Sequence, residues 1–316
     1  MPLILGDSPR MNLIVTSEPR KPAAICAEHS PAAERLPAEL LERTLAGLGV
    51  DRCSEPTLET LRALYGAWCQ RVPFDNVRKL LHVRSGCRGA LPGSTAQDFL
   101  EAWLKFGTGG TCWSGAGAFH SLLAALGFDV LRGVATMLVK PDVPPNHGTV
   151  LVRLGRARYL VDCSMLHGEP LLLADDSDAV IPHPAWGLSG SRRDGRWHIR
   201  WRPLNRLDGF ECRLEYFGAT REEFRDYNER TRGWSPFNYE VTARINRRDS
   251  AVGVSFGRAV SLGGDGSVVS MEIDTRERNR RLIEDIGISE ELVRALPEDV
   301  PTPPPPGSRT ALLRTA

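Results

Sequence analysis

The apolar positions fall into two periods, one after the other. Leu36, Leu40, Leu41, Leu45 and Leu48 recur at helical spacing, and so do Leu58, Leu61, Leu64 and Trp68 behind Ser54 and Pro56. Ser94-Thr95-Ala96-Gln97 reads as a capping box ahead of Phe99, Leu100 and Trp103. A further helix is predicted from about Cys112, burying Phe119, Leu122, Leu123 and Leu126 and ending at Gly127. From Phe128 the pattern shifts to alternation, predicting strands over 128–139, 148–154, 158–163, 197–203, 209–217, 239–247, 251–256 and 268–273. Thr220-Arg221-Glu222-Glu223 predicts a short helix among them, and two more helices close the pattern over 275–286 and 289–296. Helices followed by a run of strands argue for an α+β fold, divided into a helical domain (35–127), a β-rich domain (128–234) and a mixed C-terminal domain (235–298). Residues 1–34 lack periodicity and read as a disordered leader, and the proline-rich stretch within 299–316 as a disordered tail.

Composition narrows the function classes. In 316 residues, 40 Lys and Arg balance 39 Asp and Glu to +1, so neither a nucleic-acid groove nor an anionic membrane partner is indicated. No apolar run approaches the roughly 18 residues of a spanning helix, and the start lacks the basic leader of a signal peptide. These readings point to the cytoplasm. Cys26, Cys53, Cys69, Cys87, Cys112, Cys163 and Cys212 are odd in number, widely spaced and free of any CxxC, so neither a metal site nor a disulfide framework is expected.

Cys112 differs from the other six in its setting. It follows Gly107-Thr108-Gly109-Gly110-Thr111 and opens an apolar helix, where unpaired N–H groups favour a thiolate. The glycines let the backbone near Gly110 and Thr111 approach a reacting carbonyl. The loop is no phosphate cradle, because it lacks the Gly-Lys-Ser/Thr ending of a P-loop. His147 opens a strand, and the next strand ends at Asp162. A turn centred near Leu154 and Gly155 sets the two side chains opposite each other, roughly 5 Å apart on one face. A carboxylate there can orient an imidazole and stabilise its protonated form. Cys112, His147 and Asp162 are therefore the candidate catalytic residues.

This order of residue types, with Cys at a helix start and His and Asp on adjacent strands, resembles the papain and transglutaminase core. More narrowly it resembles the arylamine N-acetyltransferase family, in which a loop Arg-Gly-Gly-x-Cys-x-Glu-x-Asn precedes a His and then Val-Asp-x-Gly-Phe-Gly. Gly109-Gly110-Thr111-Cys112, His147 and Val161-Asp162 match those places. Val72-Pro73-Phe74-Asp75-Asn76, Leu126-Gly127-Phe128-Asp129-Val130 and Ser235-Pro236-Phe237-Asn238 resemble further family segments. The resemblance covers roughly residues 35–297 and implies an N-terminal helical bundle, a central antiparallel β-barrel-like domain and a mixed C-terminal lid. Thr108, Ser114 and Ala116 depart from the family's loop arginine, glutamate and asparagine, and Cys163-Ser164-Met165-Leu166 departs from x-Gly-Phe-Gly.

The resemblance implies ping-pong transfer. An acyl group from acyl-coenzyme A (acetyl-CoA) would pass through a Cys112 thioester to a small-molecule amine, with no permanently bound cofactor. It also implies that Phe74 and Phe237 wall an aromatic acceptor and that Gly110, Thr111 and Ser164 border the substrates. Three alternatives stand beside this reading: an amide synthase served by an acyl carrier protein, a thiol hydrolase, and a catalytically silent member.

Overall fold

The computed structural model describes residues 35–51, 55–140, 143–306 and 308, so the expected leader (1–34), Cys26, Cys53 and the last residues of the tail lie outside the described residues. Five helices come first: α1 (Ala38–Leu48), α2 (Leu58–Arg71), α3 (Val77–Arg84), α4 (Ala96–Phe106) and α5 (Cys112–Ala125). The predicted apolar faces of α1, α2, α4 and α5 meet in one core around Leu45, Leu61, Trp68, Phe99, Phe119 and Leu122. Two caps sit elsewhere than expected. Thr57 caps α2, its hydroxyl accepting from Thr60 N–H, in place of the Ser54–Pro56 opening. Thr95 caps α4 by accepting from Asp98 N–H, one residue later than the Ser94–Gln97 box. The Asp98 carboxylate is then free to take Gly93 N–H and the Arg78 guanidinium. The short α3 was not expected. Only Val77, Lys79 and Leu80 of its eight residues are buried, too few for a readable period.

The central unit is an eight-stranded antiparallel sheet of β2 (Asp129–Met137), β3 (His147–Leu154), β4 (Ala157–Val161), β5 (Leu171–Leu172), β6 (Ala179–Ile181), β7 (Leu188–Arg193), β8 (Arg196–Trp201) and β9 (Phe210–Phe217), after a two-residue β1 (Phe74–Asp75) earlier in the chain. The order is β5-β4-β3-β2-β9-β8-β7-β6. Its outer strands β5 and β6 lie beside each other, so the sheet nearly closes into a barrel. Strand β7 escaped prediction because Leu188-Ser-Gly-Ser-Arg-Arg carries one large apolar residue. Pairing with β8 makes it a strand. Helix α5 packs on β2 and β3, and α6 (Arg221–Arg230) has the expected reciprocal capping box between Thr220 and Glu223.

The third unit holds β10 (Thr242–Arg247), β11 (Ser250–Ser255), β12 (Arg258–Leu262) and β13 (Val268–Glu272), in the order β1-β10-β11-β12-β13. Its first strand, β1, comes from the segment read as purely helical and so ties that segment to the third sheet. Helix α7 (Thr275–Arg281) continues through a π turn at Leu282–Ile286 and is followed by α8 (Glu290–Arg294). The start of the expected disordered tail lies on the body instead. Val300 N–H donates to Tyr239 O, Trp234 Nε1–H donates to Pro303 O, and Asp299 accepts from Val241 N–H while pairing with the buried Arg278. Polyproline backbone leaves its carbonyls free, and here the Trp234 indole N–H of the body finds one of them at Pro303. No helix among the described residues is long and apolar enough to cross a membrane.

Candidate active site

Helix α5 begins at Cys112 with Thr111 as its N-cap, and no side chain caps the first turn. The unpaired N–H groups of that turn thus face the nucleophile's surroundings. The approach loop is held by a buried carboxylate. Asp75 accepts from Gly109 N–H at 2.6 Å, from the Thr108 hydroxyl at 2.9 Å and from Val77 N–H at 2.9 Å, while Asp75 N–H donates to Gly110 O. Burial pushes the Asp75 carboxyl up, against the lowering effect of these donors. Thr108 stands at the family's arginine place and supplies a neutral donor to the same anchor. Gly109 is a steric necessity, since a Cβ there would lie 1.8 Å from Pro73 O.

Strands β3 and β4 bring the other two side chains together, in a register different from the one predicted. Val150 pairs with Val161 and Leu154 with Ala157, so the turn is Gly155-Arg156 and the ladder points Asp162 toward Thr149. His147 lies two residues further along β3. Because side chains alternate with period two, this displacement keeps His147 and Asp162 on one face as diagonal neighbours. His147 Nε2 donates to Asp162 Oδ2 at 2.7 Å, with both residues almost fully buried. The other oxygen, Oδ1, accepts from Ser164 and Met165 N–H, each at 2.9 Å. These donors and the His147 charge outweigh burial and hold the Asp162 carboxyl well below the usual range.

With Nε2 committed to Asp162, the other ring nitrogen serves Cys112. Burial alone would lower the His147 pKa, but the Asp162 charge and hydrogen bond, with that to Cys112, raise it. Burial alone would raise the Cys112 pKa, but the hydrogen bond and charge of His147, with the Gly148 main-chain N–H, bring it below the ordinary thiol value. Both directions favour moving the proton from the Cys112 thiol, which also lies 3.9 Å from Asn146 O, to His147. Cys163 and Cys212 are also buried, and burial pushes both thiols up. Cys163 packs against Gly115 of α5.

The other expected site residues distribute as follows. Phe74 and Phe237 meet edge-to-face with ring centroids 5.5 Å apart, and Phe74 bridges Gly110 through the main chain. Gly110 and Thr111 line a small recess with Lys79 and Asn228. Ser164 is buried, and its N–H serves Asp162. The sequence reading missed Asp75 as an anchor, although it quoted the segment that carries it, and missed Tyr65 and His167, which hold the Asp162 backbone. Tyr65 sits on an ordinary apolar helix face, so no local signal marks it.

Residues 57–198 match the model of a family described as N-acetyltransferase. The arylamine N-acetyltransferase of Escherichia coli (strain K12) is 26% identical over 182 residues, covering 54% of this chain and 61% of that protein, so the match spans about three-fifths of the curated relative. Among solved structures, the arylamine N-acetyltransferase from Mycobacterium abscessus has a TM-score of 0.68 at 22% identity, covering 81% of this chain and 93% of that one. The Mycobacterium marinum enzyme, solved in complex with CoA, has a TM-score of 0.67 at 19% identity, covering 82% and 95%. The family resemblance read from the sequence holds in the central segment and in the fold, and the low identities mark a divergent relative.

Proposed function

We propose that this divergent relative of the arylamine N-acetyltransferases is an acyltransferase that uses Cys112, His147 and Asp162 to move an acyl group from acyl-coenzyme A to an amine. The observation that carries the reading is the buried 2.7 Å His147–Asp162 pair beside a thiol at a helix start whose pKa is held down. The CoA complex of the M. marinum relative supports CoA as the donor's carrier.

The Cys112 thiolate attacks the thioester carbonyl, and the tetrahedral intermediate collapses by expelling the CoA thiolate, which takes the proton held by His147. The acyl group then rests on Cys112 as a second thioester. An amine attacks that carbonyl, His147 takes the amine proton, and Cys112 leaves as the thiolate. Uncapped N–H groups at the start of α5 are suited to the developing oxyanion. Asp162 keeps its charge and fixes the imidazole throughout. Phe74 and Phe237 offer an edge-to-face aromatic wall that suits an arylamine.

Incubation with acetyl-CoA, followed by intact mass and peptide mapping, tests the reading. An acetyl adduct on Cys112 that is absent from Cys112→Ala and is discharged by an arylamine is expected. An unmodified Cys112 across a series of acyl-CoA thioesters overturns it.

A further inference from the structure

Asp162 stands where the sheet stops. Val161 is the last residue of β4 in the ladder, and the chain then turns, with Leu166 N–H returning to Asp162 O at 3.1 Å and Leu166 in the left-handed region at φ 50°. The backbone N–H of Asp162 therefore has no strand to pair with, although the residue is fully buried. A buried backbone group without a partner is costly, so what satisfies it decides how firmly the carboxylate is held.

The partners come from a distant helix and from the turn itself. The Tyr65 hydroxyl, on α2, donates to Asp162 O at 2.8 Å and accepts from Asp162 N–H at 3.1 Å and from His167 N–H at 3.3 Å. His167 Nε2 shares the Asp162 N–H at 3.3 Å. The His167 tautomer follows from its other bond. Nδ1–H donates to Glu169 O at 2.7 Å, leaving Nε2 as an acceptor. Burial keeps this imidazole neutral, pushing it down to about 4, so it stays an acceptor at physiological pH. The two rings pack at 4.9 Å between centroids, and Tyr65 also packs on Phe119 of α5. One hydroxyl thus stands in for a missing neighbouring strand, and it reaches Asp162 from the same helical core in which α5 holds Cys112.

We propose that Tyr65, together with His167, is a positioning residue for the reaction, fixing the Asp162 backbone so that its carboxylate meets His147 while Cys112 is held from the same core. The inference rests on the triad reading above but acts one layer behind it, since neither ring touches the reacting atoms. The carboxylate has its own supports in Ser164 and Met165 N–H, yet those donors belong to the same turn and move with it. Among the described residues, Tyr65 and His167 are the groups that take the Asp162 N–H, while Asn246 Nδ2–H holds the far end of the turn by donating to Leu166 O at 2.7 Å.

The test measures the rate of Cys112 alkylation by iodoacetamide against pH, with no acyl donor present, beside kcat and KM for transfer. Tyr65→Phe keeps the ring packing and removes the hydroxyl. It is expected to displace the alkylation profile to higher pH and to lower kcat on the order of ten- to a hundred-fold with KM little changed, the scale of a small misplacement of a catalytic group. A folded Tyr65→Phe protein with a wild-type profile and kcat, whatever its melting temperature, overturns the proposal, because a purely structural role lowers stability alone. His167→Phe carries the same test if Tyr65→Phe fails to fold. A smaller displacement in the same direction is expected, and an unchanged profile overturns the proposal. The alkylation readout needs no acyl transfer, so a wild-type protein that alkylates with a depressed midpoint yet accepts no acyl group defeats the acyltransferase reading and leaves this one standing.

Discussion

Asp162→Asn is the sharpest probe of the site, because the geometry dictates how the substituted side chain must sit. Oδ1 receives two main-chain N–H groups and Oδ2 receives His147 Nε2–H. An asparagine has one carbonyl oxygen, and the Ser164 and Met165 donors claim it, which turns the amide NH2 toward His147. The imidazole must then present Nε2 as an acceptor and carry its proton on the nitrogen facing Cys112. That tautomer can neither take the thiol proton nor form the imidazolium that lowers the Cys112 pKa. A thiol returned to an ordinary pKa near 8.5 is roughly 3% thiolate at pH 7. The wrong tautomer and the lost carboxylate charge together are expected to lower kcat by about 10³- to 10⁴-fold. The side chain is nearly isosteric, so circular dichroism and gel filtration should match wild type. The assay is the pH profile of Cys112 alkylation alongside steady-state transfer. The expected midpoint lies above that of wild type, and wild-type rates with an unshifted midpoint refute the assignment of Asp162 as the orienting acid.

Two further outcomes concern the scaffold. Gly109→Ala places a methyl group 1.8 Å from Pro73 O, so the loop before Cys112 must move. The variant is expected to lose about 1–3 kcal/mol in urea unfolding and most of its acetyl-adduct formation, and an unchanged adduct rate argues against the loop's role in placing the nucleophile. His120 and His167 are kept neutral by burial, at about 3 and about 4. Both folded values lie below the unfolded histidine value, so the unfolded chain binds more protons and stability falls as pH drops from about 6.5 toward 4, by about 2 kcal/mol for each histidine at pH 5. The Asp162 contribution has the opposite origin, a depressed carboxyl, and is lost only below about pH 4. Urea midpoints at pH 7 and pH 5 should draw closer together in His120→Phe, and an unchanged gap removes His120 from the account.

The sequence by itself determined the helix-then-strand order, because apolar periods of 3.6 and 2 leave distinct marks over ten or more residues. It also singled out Cys112 among seven cysteines, because a glycine loop followed by an apolar helix is a local pattern. The approach of His147 to Asp162 was legible through hairpin parity. The predicted pairing was displaced from the observed one, but the displacement preserved the shared face, which is what the chemistry needs. What escaped was non-local. Strand β7 takes its identity from its partner, and α3 from a core supplied by the third unit. Asp75 becomes an anchor only when the Thr108–Gly109 loop folds over it. Arg247 donates to the Asp285, Ile286 and Gln70 carbonyls and clasps two units together. The Tyr65 hydroxyl reaches a residue 97 positions away. A side chain's hydrogen-bond partners are set by tertiary packing, and no periodicity along the chain encodes which distant backbone group will be left without a strand.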